Sequence, residues 1–199
     1  IIDTETKKRL CAEDPKSAGI IKPVIRGRDI KKYAYKWDDL WMITTFPARK
    51  IDIENYPAVK KYLLGYGKHL LEQKGLKYPN GTKSRKKTNN KWFETQDQIC
   101  CYRSFEKDKI IWADISTINP FALLEGLMYT DISAYILTSD TVNLKYLIAC
   151  LNSKITFFEF RTISNSLDKA FRWTKQYIEQ IHVPIITAAN QHIADQMIA

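Results

Sequence analysis

Apolar positions along the chain arrive in short runs separated by charge, and their spacing predicts a mixture of strands and helices. IIKPVI, Ile20–Ile25, is a β-branched run broken by Gly27, and LWMITT, Leu40–Thr45, is a second, so both read as strands. Pro57 suits the first turn of a helix capped by Asn55 or Tyr56. Val59, Tyr62, Leu63, Tyr66, Leu70 and Leu71 fall on one stripe of that helix, with lysines opposite, and its predicted end is near Gly75. A polar stretch with a short helix follows Trp92. KIIWADIS, Lys109–Ser116, reads as a strand, and FALLEGLMYTDISAYILTS as strands around two turns, closing with Ala134–Thr138. Asn143 caps the most regular helix, where Leu144, Leu147, Ile148, Leu151, Ile155 and Phe158 form one unbroken face expected to pack in the core. RTISNSLDKAFRW reads as a loop, Tyr177 and Ile178 as a short helix, and IHVPII as extended. In TAANQHIADQMIA, Thr187 is the cap candidate for a last helix carrying Ile193, Met197 and Ile198.

Strands interspersed with irregularly placed helices predict the α+β class, with a mixed or antiparallel sheet and packed helices. One domain over residues 19–186 is expected, after a linker at 1–18 and before the start of a C-terminal helix, cut short, at 187–199. The chain opens on Ile1 and stops in mid-helix, which suggests a piece of a longer protein. With 45% hydrophobic and 27% charged residues it is composed like a folded domain, not a disordered one. No apolar run approaches the length of a membrane span, and the start is too polar for a signal peptide. Four cysteines without CxxC spacing fit a reduced, cytoplasmic protein.

The net charge of +9 changes this picture because one segment holds all of it. Lys60–Lys91 contains ten basic residues and a single acid, Glu72, while the rest of the chain balances to zero. Its densest part is KYPNGTKSRKKTNNKW, Lys77–Trp92, where a Pro-Asn-Gly turn leads into Lys83, Arg85, Lys86, Lys87 and Lys91. Self-repulsion would hold such a loop open unless phosphates neutralise it. Charge alone leaves two readings: a nucleic-acid contact or a solvated loop.

Catalytic constellations are missing. His69, His182 and His192 are scattered, and neither a P-loop nor a dinucleotide fingerprint occurs. Asn119-Pro120-Phe121 lacks the second proline of the tetrapeptide that holds the target amino group in amino-methyltransferases. Glu72-Gln73-Lys74 matches half of a nuclease motif, but Glu5-Thr6-Lys7 and Asp29-Ile30-Lys31 match its looser form as well. Both fragments read as structural.

IKPVIRGRDIKKYAYKWDDLWMITT resembles the opening of the specificity domains of adenine-modifying restriction–modification enzymes, the TaqI-like C-terminal specificity domains among them. The similarity continues in order through YPAVKKYLLGYGKHLLE, Lys91-Trp92-Phe93-Glu94, KIIWADIS, KYLIACLNSKITFFEF and YIEQIHVPI. It departs at His182–Ile186, which lacks the usual second proline, and in a loop richer in lysine than arginine.

The resemblance implies a target recognition domain that holds double-stranded DNA. A methyltransferase domain elsewhere in the same chain would flip out an adenine and methylate it with S-adenosylmethionine; Mg2+ would be needed if the parent also cuts DNA. No cofactor, metal or catalytic residue is expected within this segment. On that view Arg26, Arg28, Lys31 and Lys32 face phosphate or the neighbouring domain, or else Arg28 or Asp29 forms internal ion pairs. Lys83, Lys86, Lys87 and Lys91 track the backbone, and Lys169 joins the DNA-contacting set. Arg85, Asn89, Asn90, Arg103, Asn165 and Arg172 are candidates for reading base edges, since arginine suits guanine and asparagine adenine. Trp92 and Trp173 are expected to brace loops from the core side. The alternative is a protein-interaction module that docks a methyltransferase to a partner subunit and touches DNA incidentally.

Overall fold

The computed structural model describes residues 1–199. Its chain runs α1 (Thr4–Glu13), β1 (Ile21–Ile25), β2 (Ile30–Lys31), β3 (Ala34–Tyr35), β4 (Trp41–Ile43), α2 (Pro57–Leu64), α3 (Lys68–Leu71), β5 (Lys109–Ala113) and β6 (Ile115–Ser116). It continues through β7 (Phe121–Leu124), β8 (Tyr129–Thr130), β9 (Ala134–Leu137), α4 (Leu144–Leu151), α5 (Lys154–Ile163), β10 (Ser166–Leu167), β11 (Ala170–Arg172), α6 (Lys175–Ile178) and α7 (Gln191–Ile198). The class is α+β, with antiparallel pairing throughout except one parallel pair. No helix is long and apolar enough to cross a membrane. The chain divides into two compact units: Ile1–Pro23 with Asp39–Tyr102, and Val24–Asp38 with Arg103–Ala199.

In the first unit, the helix α1 lies within residues 1–18, read as a linker from the sequence. Asp3 caps α1 by accepting the Thr6 N–H (2.7 Å), and Leu10 is fully buried beside Ile20, Ile21, Ile53, Val59 and Phe93. Ile21, Lys22 and Pro23 pair antiparallel with Ile43, Met42 and Trp41 of β4. The predicted helix from Pro57 to Gly75 is instead two pieces, α2 and α3. Glycine is a poor helix residue, and Gly67 adopts φ +88°, so Gly65-Tyr66-Gly67 interrupts the stripe and turns Tyr66 to solvent.

In the second unit, β5 is the central strand between β7 and β9, and all five of its residues are buried. Side chains alternate across a strand, so Ile110 and Trp112 join one apolar cluster and Ile111 the other. Val24 and Ile25 pair in parallel with Tyr129 and Thr130 of β8. Asn143 caps α4 as predicted, accepting the Lys145 N–H (2.8 Å). The long helical face does not persist. The chain leaves the helix at Asn152, and the Ser153 hydroxyl accepts the Thr156 N–H (3.0 Å) to start α5. Asparagine and serine offer the backbone local partners that compete with a continuing helix. The restart changes the phase: Thr156 and Phe160 turn inward, while Ile155 and Phe158 are 80% and 73% exposed.

The stretch read as the loop RTISNSLDKAFRW completes α5 and then forms the β10–β11 hairpin, with β11 pairing against β6. The last helix starts at Gln191, after a turn at Asn190, and Ala194 buries it against Tyr146 and Cys150 of α4.

Lys109 is buried at the start of β5, where its ammonium donates to the Gly126 carbonyl (2.6 Å), and burial pushes its pKa down from 10.5 to about 8. The unfolded chain therefore holds this proton more tightly. The group's contribution to stability is unfavourable below pH 8 and recovers as pH rises from 8 to 10.5. Relative to wild type, Lys109→Met is expected to remove about 1–3 kcal/mol of stability gain across that window, read from urea melts at its two ends.

Candidate nucleic-acid interface

The basic loop of the first unit is ordered by its own backbone. Leu76 donates N–H to the Ser84 hydroxyl (2.7 Å), Ser84 N–H returns to the Leu76 carbonyl (2.9 Å), and Tyr78 N–H reaches the Thr82 carbonyl (2.9 Å). Asn80 closes the tip, accepting the Thr82 N–H and hydroxyl, with Gly81 at φ +83°. Beneath the loop lies Gln73, a buried side chain that sequence reasoning passed over. Its carbonyl oxygen accepts the Thr88 hydroxyl (2.5 Å) and its amide donates to the Glu94 carbonyl (2.9 Å).

This ordering sorts the loop's residues into two groups. Arg85 turns inward and donates to the Glu94 carbonyl (2.9 Å), and burial pushes its pKa below the ordinary guanidinium value. The Asn90 amide donates to the Thr95 and Gln96 carbonyls, both at 2.9 Å. Those two base-reading candidates thus have their donors engaged within the loop. Lys83, Lys86, Lys87, Asn89 and Lys91 are exposed, with Lys91 Nζ 5.7 Å from the centre of the Phe93 ring.

In the second unit, the RGRD turn holds an internal network. Arg26 Nε donates to Asp29 (2.8 Å) and its guanidinium also pairs with Asp38; the bond to Asp29 raises its pKa above the ordinary value. Arg26 is therefore a turn-fixing residue, whereas the Arg28 side chain is 68% exposed and 3.8 Å from Asp29. Internal pairing thus falls mainly on Arg26. Lys31, Lys32, Tyr33 and Tyr35 follow on the β2–β3 hairpin, all but Lys32 exposed. Tyr33, at φ +61°, is anchored by its N–H to the Phe121 carbonyl (2.8 Å).

A cleft of about 440 Å³ opens beside this turn, lined by Arg26, Gly27, Arg28, Asp114, Ile115, Asp131 and Ser133, with Ala113 at its base. Arg172 of β11 pairs with Ile115 of β6, and its Nε is 3.9 Å from Asp114, which lines the same cleft as Arg28. Asn165 and Lys169 are exposed on the same hairpin as Arg172. Arg103 lies on the exposed side of the turn Tyr102–Glu106, a separate element. Asp114 and the Asp131–Ser133 turn were not foreseen as part of a site, although Asp-Ile-Ser is a recognisable Asx-turn sequence.

The sequence profile of the TaqI-like C-terminal specificity domain matches residues 22–185. The chain belongs to this family. Across 81% of its length the specificity domain is 26% identical to the type II methyltransferase M.XhoI of Xanthomonas vasicola and 24% identical to M.PaeR7I of Pseudomonas aeruginosa. It spans only 28% and 27% of those proteins. Its fold is also similar to part of the type IIL restriction-modification enzyme MmeI, solved in complex with DNA. The TM-score is 0.54, at 11% identity, over 87% of this chain and 21% of that one.

Asn119-Pro120-Phe121, the fragment that lacks the second proline of the target-holding tetrapeptide, serves the fold. The Asn119 amide is committed to the Leu151 (2.6 Å) and Ser153 carbonyls, and Phe121 is wholly buried. Glu72 is paired with Lys74 at 2.7 Å.

Three substitutions separate residues that hold the fold from an exposed one. A Cβ on Gly27 would lie 2.1 Å from the Ser133 carbonyl oxygen, a backbone atom that cannot step aside. Gly27→Ala is expected to destabilise the second unit by about 2–4 kcal/mol, visible as a lower melting temperature. Arg85→Ala, by removing one of the two donors on the Glu94 carbonyl and the packing of a partly buried side chain, should reduce stability by about 1 kcal/mol in urea melts, whereas Lys86→Ala should change it by less than about 0.5 kcal/mol.

Proposed function

We propose that the chain is the duplex-DNA recognition domain of an adenine-specific methyltransferase of a restriction–modification system. The observation that carries this reading is the division of the basic loop of a TaqI-like specificity domain. Its guanidinium is turned in as a brace, while the ammonium groups of Lys83, Lys86 and Lys87 are left facing outward on an ordered backbone. Mutually repelling cations fixed in place are a surface prepared for a polyanion.

Lysine ammonium groups act as point charges that neutralise phosphate without reading sequence, so this loop would supply affinity and register. Lys31, Lys32 and Lys169 would add phosphate contacts. Base choice would fall to the cleft of the second unit, where Arg28 and Arg172 present guanidinium donors suited to guanine and Asp114 a carboxylate suited to the cytosine amino group. Asn89 and Asn165, exposed and free of hydrogen bonds, complete the set. Methyl transfer from S-adenosylmethionine would belong to a separate domain of the parent protein, acting on an adenine turned out of the duplex.

Fluorescence anisotropy on mixed-sequence duplex DNA across a salt series tests the reading. Wild type should show log K falling linearly with log salt, and the Lys83→Ala, Lys86→Ala, Lys87→Ala triple variant should lose roughly 0.9 of slope per phosphate contact, up to about 2.7 in all. Equal binding by the two proteins would remove the loop from the interface and favour a protein-docking role.

A further inference from the structure

Ile132 is the most exposed large apolar side chain in the chain, at 99%, yet its backbone is firmly held. Asp131 Oδ1 accepts both the Ser133 N–H (2.9 Å) and the Ser133 hydroxyl (2.6 Å). The Ser133 hydroxyl oxygen in turn accepts the Gly27 N–H (2.8 Å). Asp131 N–H reaches the Ile25 carbonyl (3.1 Å), and the Ser133 carbonyl takes the Asp114 N–H (2.9 Å). A loop tip with nothing to contact is ordinarily polar and mobile. Here the tip is apolar, and five hydrogen bonds aim it.

Its surroundings say what it is aimed at. Asp131 and Ser133, on either side of Ile132, line the cleft that also holds Arg28, Asp114 and Ile115, so the isoleucine stands at the cleft's rim. Arg28 lines this cleft and Arg172 lies beside its Asp114, with side chains 68% and 53% exposed. Asp114 stands 3.9 Å from Arg172 and Asp29 3.8 Å from Arg28, yet both guanidinium groups stay more than half exposed. Asp131 is engaged by Ser133, and Asp114 sits low, with its side chain 23% exposed. An apolar knob flanked by guanidinium groups has the chemistry of duplex DNA: anionic phosphates outside, and apolar base faces and thymine methyls within. The guanidinium groups beside it favour an anionic partner, and duplex DNA offers that charge together with apolar base faces for Ile132 and for Ile115, which is 51% exposed on the same cleft.

We infer that Ile132 makes an apolar contact with the bases of bound duplex DNA, seating against the stack as a wedge or on a thymine methyl and so fixing the register in which Arg28 and Arg172 read. The inference rests on the DNA-recognition function proposed above and adds to it a positioning residue that carries no charge and makes no hydrogen bond.

The test uses the 199-residue chain and a duplex carrying the site selected by wild type from a random DNA library, with 2-aminopurine placed at each position in turn. Ile132→Ser should weaken binding to the selected site about tenfold, the size of losing one base contact. It should leave the salt slope unchanged, because no phosphate contact is lost. Wild type should raise 2-aminopurine fluorescence at one step, the serine variant should abolish that signal, and Ile132→Leu should restore most of both effects. If wild type binds the selected duplex and the serine variant matches it in affinity and fluorescence, the inference is overturned while DNA recognition stands. If wild type selects no site and binds no better than the lysine triple variant, the underlying reading fails with it.

Discussion

The hairpin and the cleft of the second unit hang on the indole of Trp173. It is wholly buried, stacked on Phe160 with ring centres 3.7 Å apart and meeting Phe121 edge-on. Every polar group of that residue is also used. Its backbone N–H donates to the Asp114 carbonyl (2.7 Å), its carbonyl accepts the Trp112 indole N–H (2.7 Å), and its own indole N–H reaches the Ser116 carbonyl (3.2 Å). One residue, by its backbone and its indole together, thus fastens three things: the hairpin that ends in Arg172, the central strand β5, and the Asp114 corner of the cleft. Aromatic area supplies the stability, and the fixed hydrogen-bond directions supply the geometry. Without it, Arg172 would depend on the short ladder of β10, β11 and β6 alone, whose strands are only two or three residues long.

A division of labour between arginine and lysine runs through both units. Arg26, Arg49 and Arg85 direct their planar forks inward, to carboxylates in the first case and to backbone carbonyls in the others. A guanidinium is weakly hydrated and offers several donors in fixed directions, so it tolerates partial burial as a clamp. The lysines of the basic loop, with compact and strongly hydrated heads, remain at the surface. Arg28 and Arg172 depart from this rule: their side chains stay 68% and 53% exposed.

Much of this was legible in the sequence, and the failures share a cause. The strands at Ile20–Ile25 and Lys109–Ser116 were readable because burial on both faces demands continuous apolar residues, and the Asn143 cap because its mechanism is local. The family could be read from ordered fragments spread along the chain. The face running from Leu144 to Phe158 was misread because periodicity records spacing and not continuity: Ser153 restarts the helix while leaving the apolar spacing intact. The loop of 161–173 concealed a hairpin because strands of two and three residues have no pattern of their own, and β11 forms by pairing with β6 more than fifty residues earlier. Charge counting located the basic loop correctly but could not divide Arg85 from Lys86, because that depends on where the Glu94 carbonyl and Gln73 lie in three dimensions.

The close contact between Gly27 and Ser133 joins positions 106 residues apart. Bringing such distant points together carries a loop-closure penalty before any favourable contact repays it, and folds rich in separations of this kind assemble slowly. The turn bearing Arg28 leaves the ribosome long before its seat exists, so the cleft would form late in folding, after the strands from β5 to β9 are in place. A nascent or partly unfolded chain would carry the basic loop's charge without the cleft. It would be able to cling to nucleic acid before it was able to discriminate, and chain completion itself would set the moment at which selectivity begins.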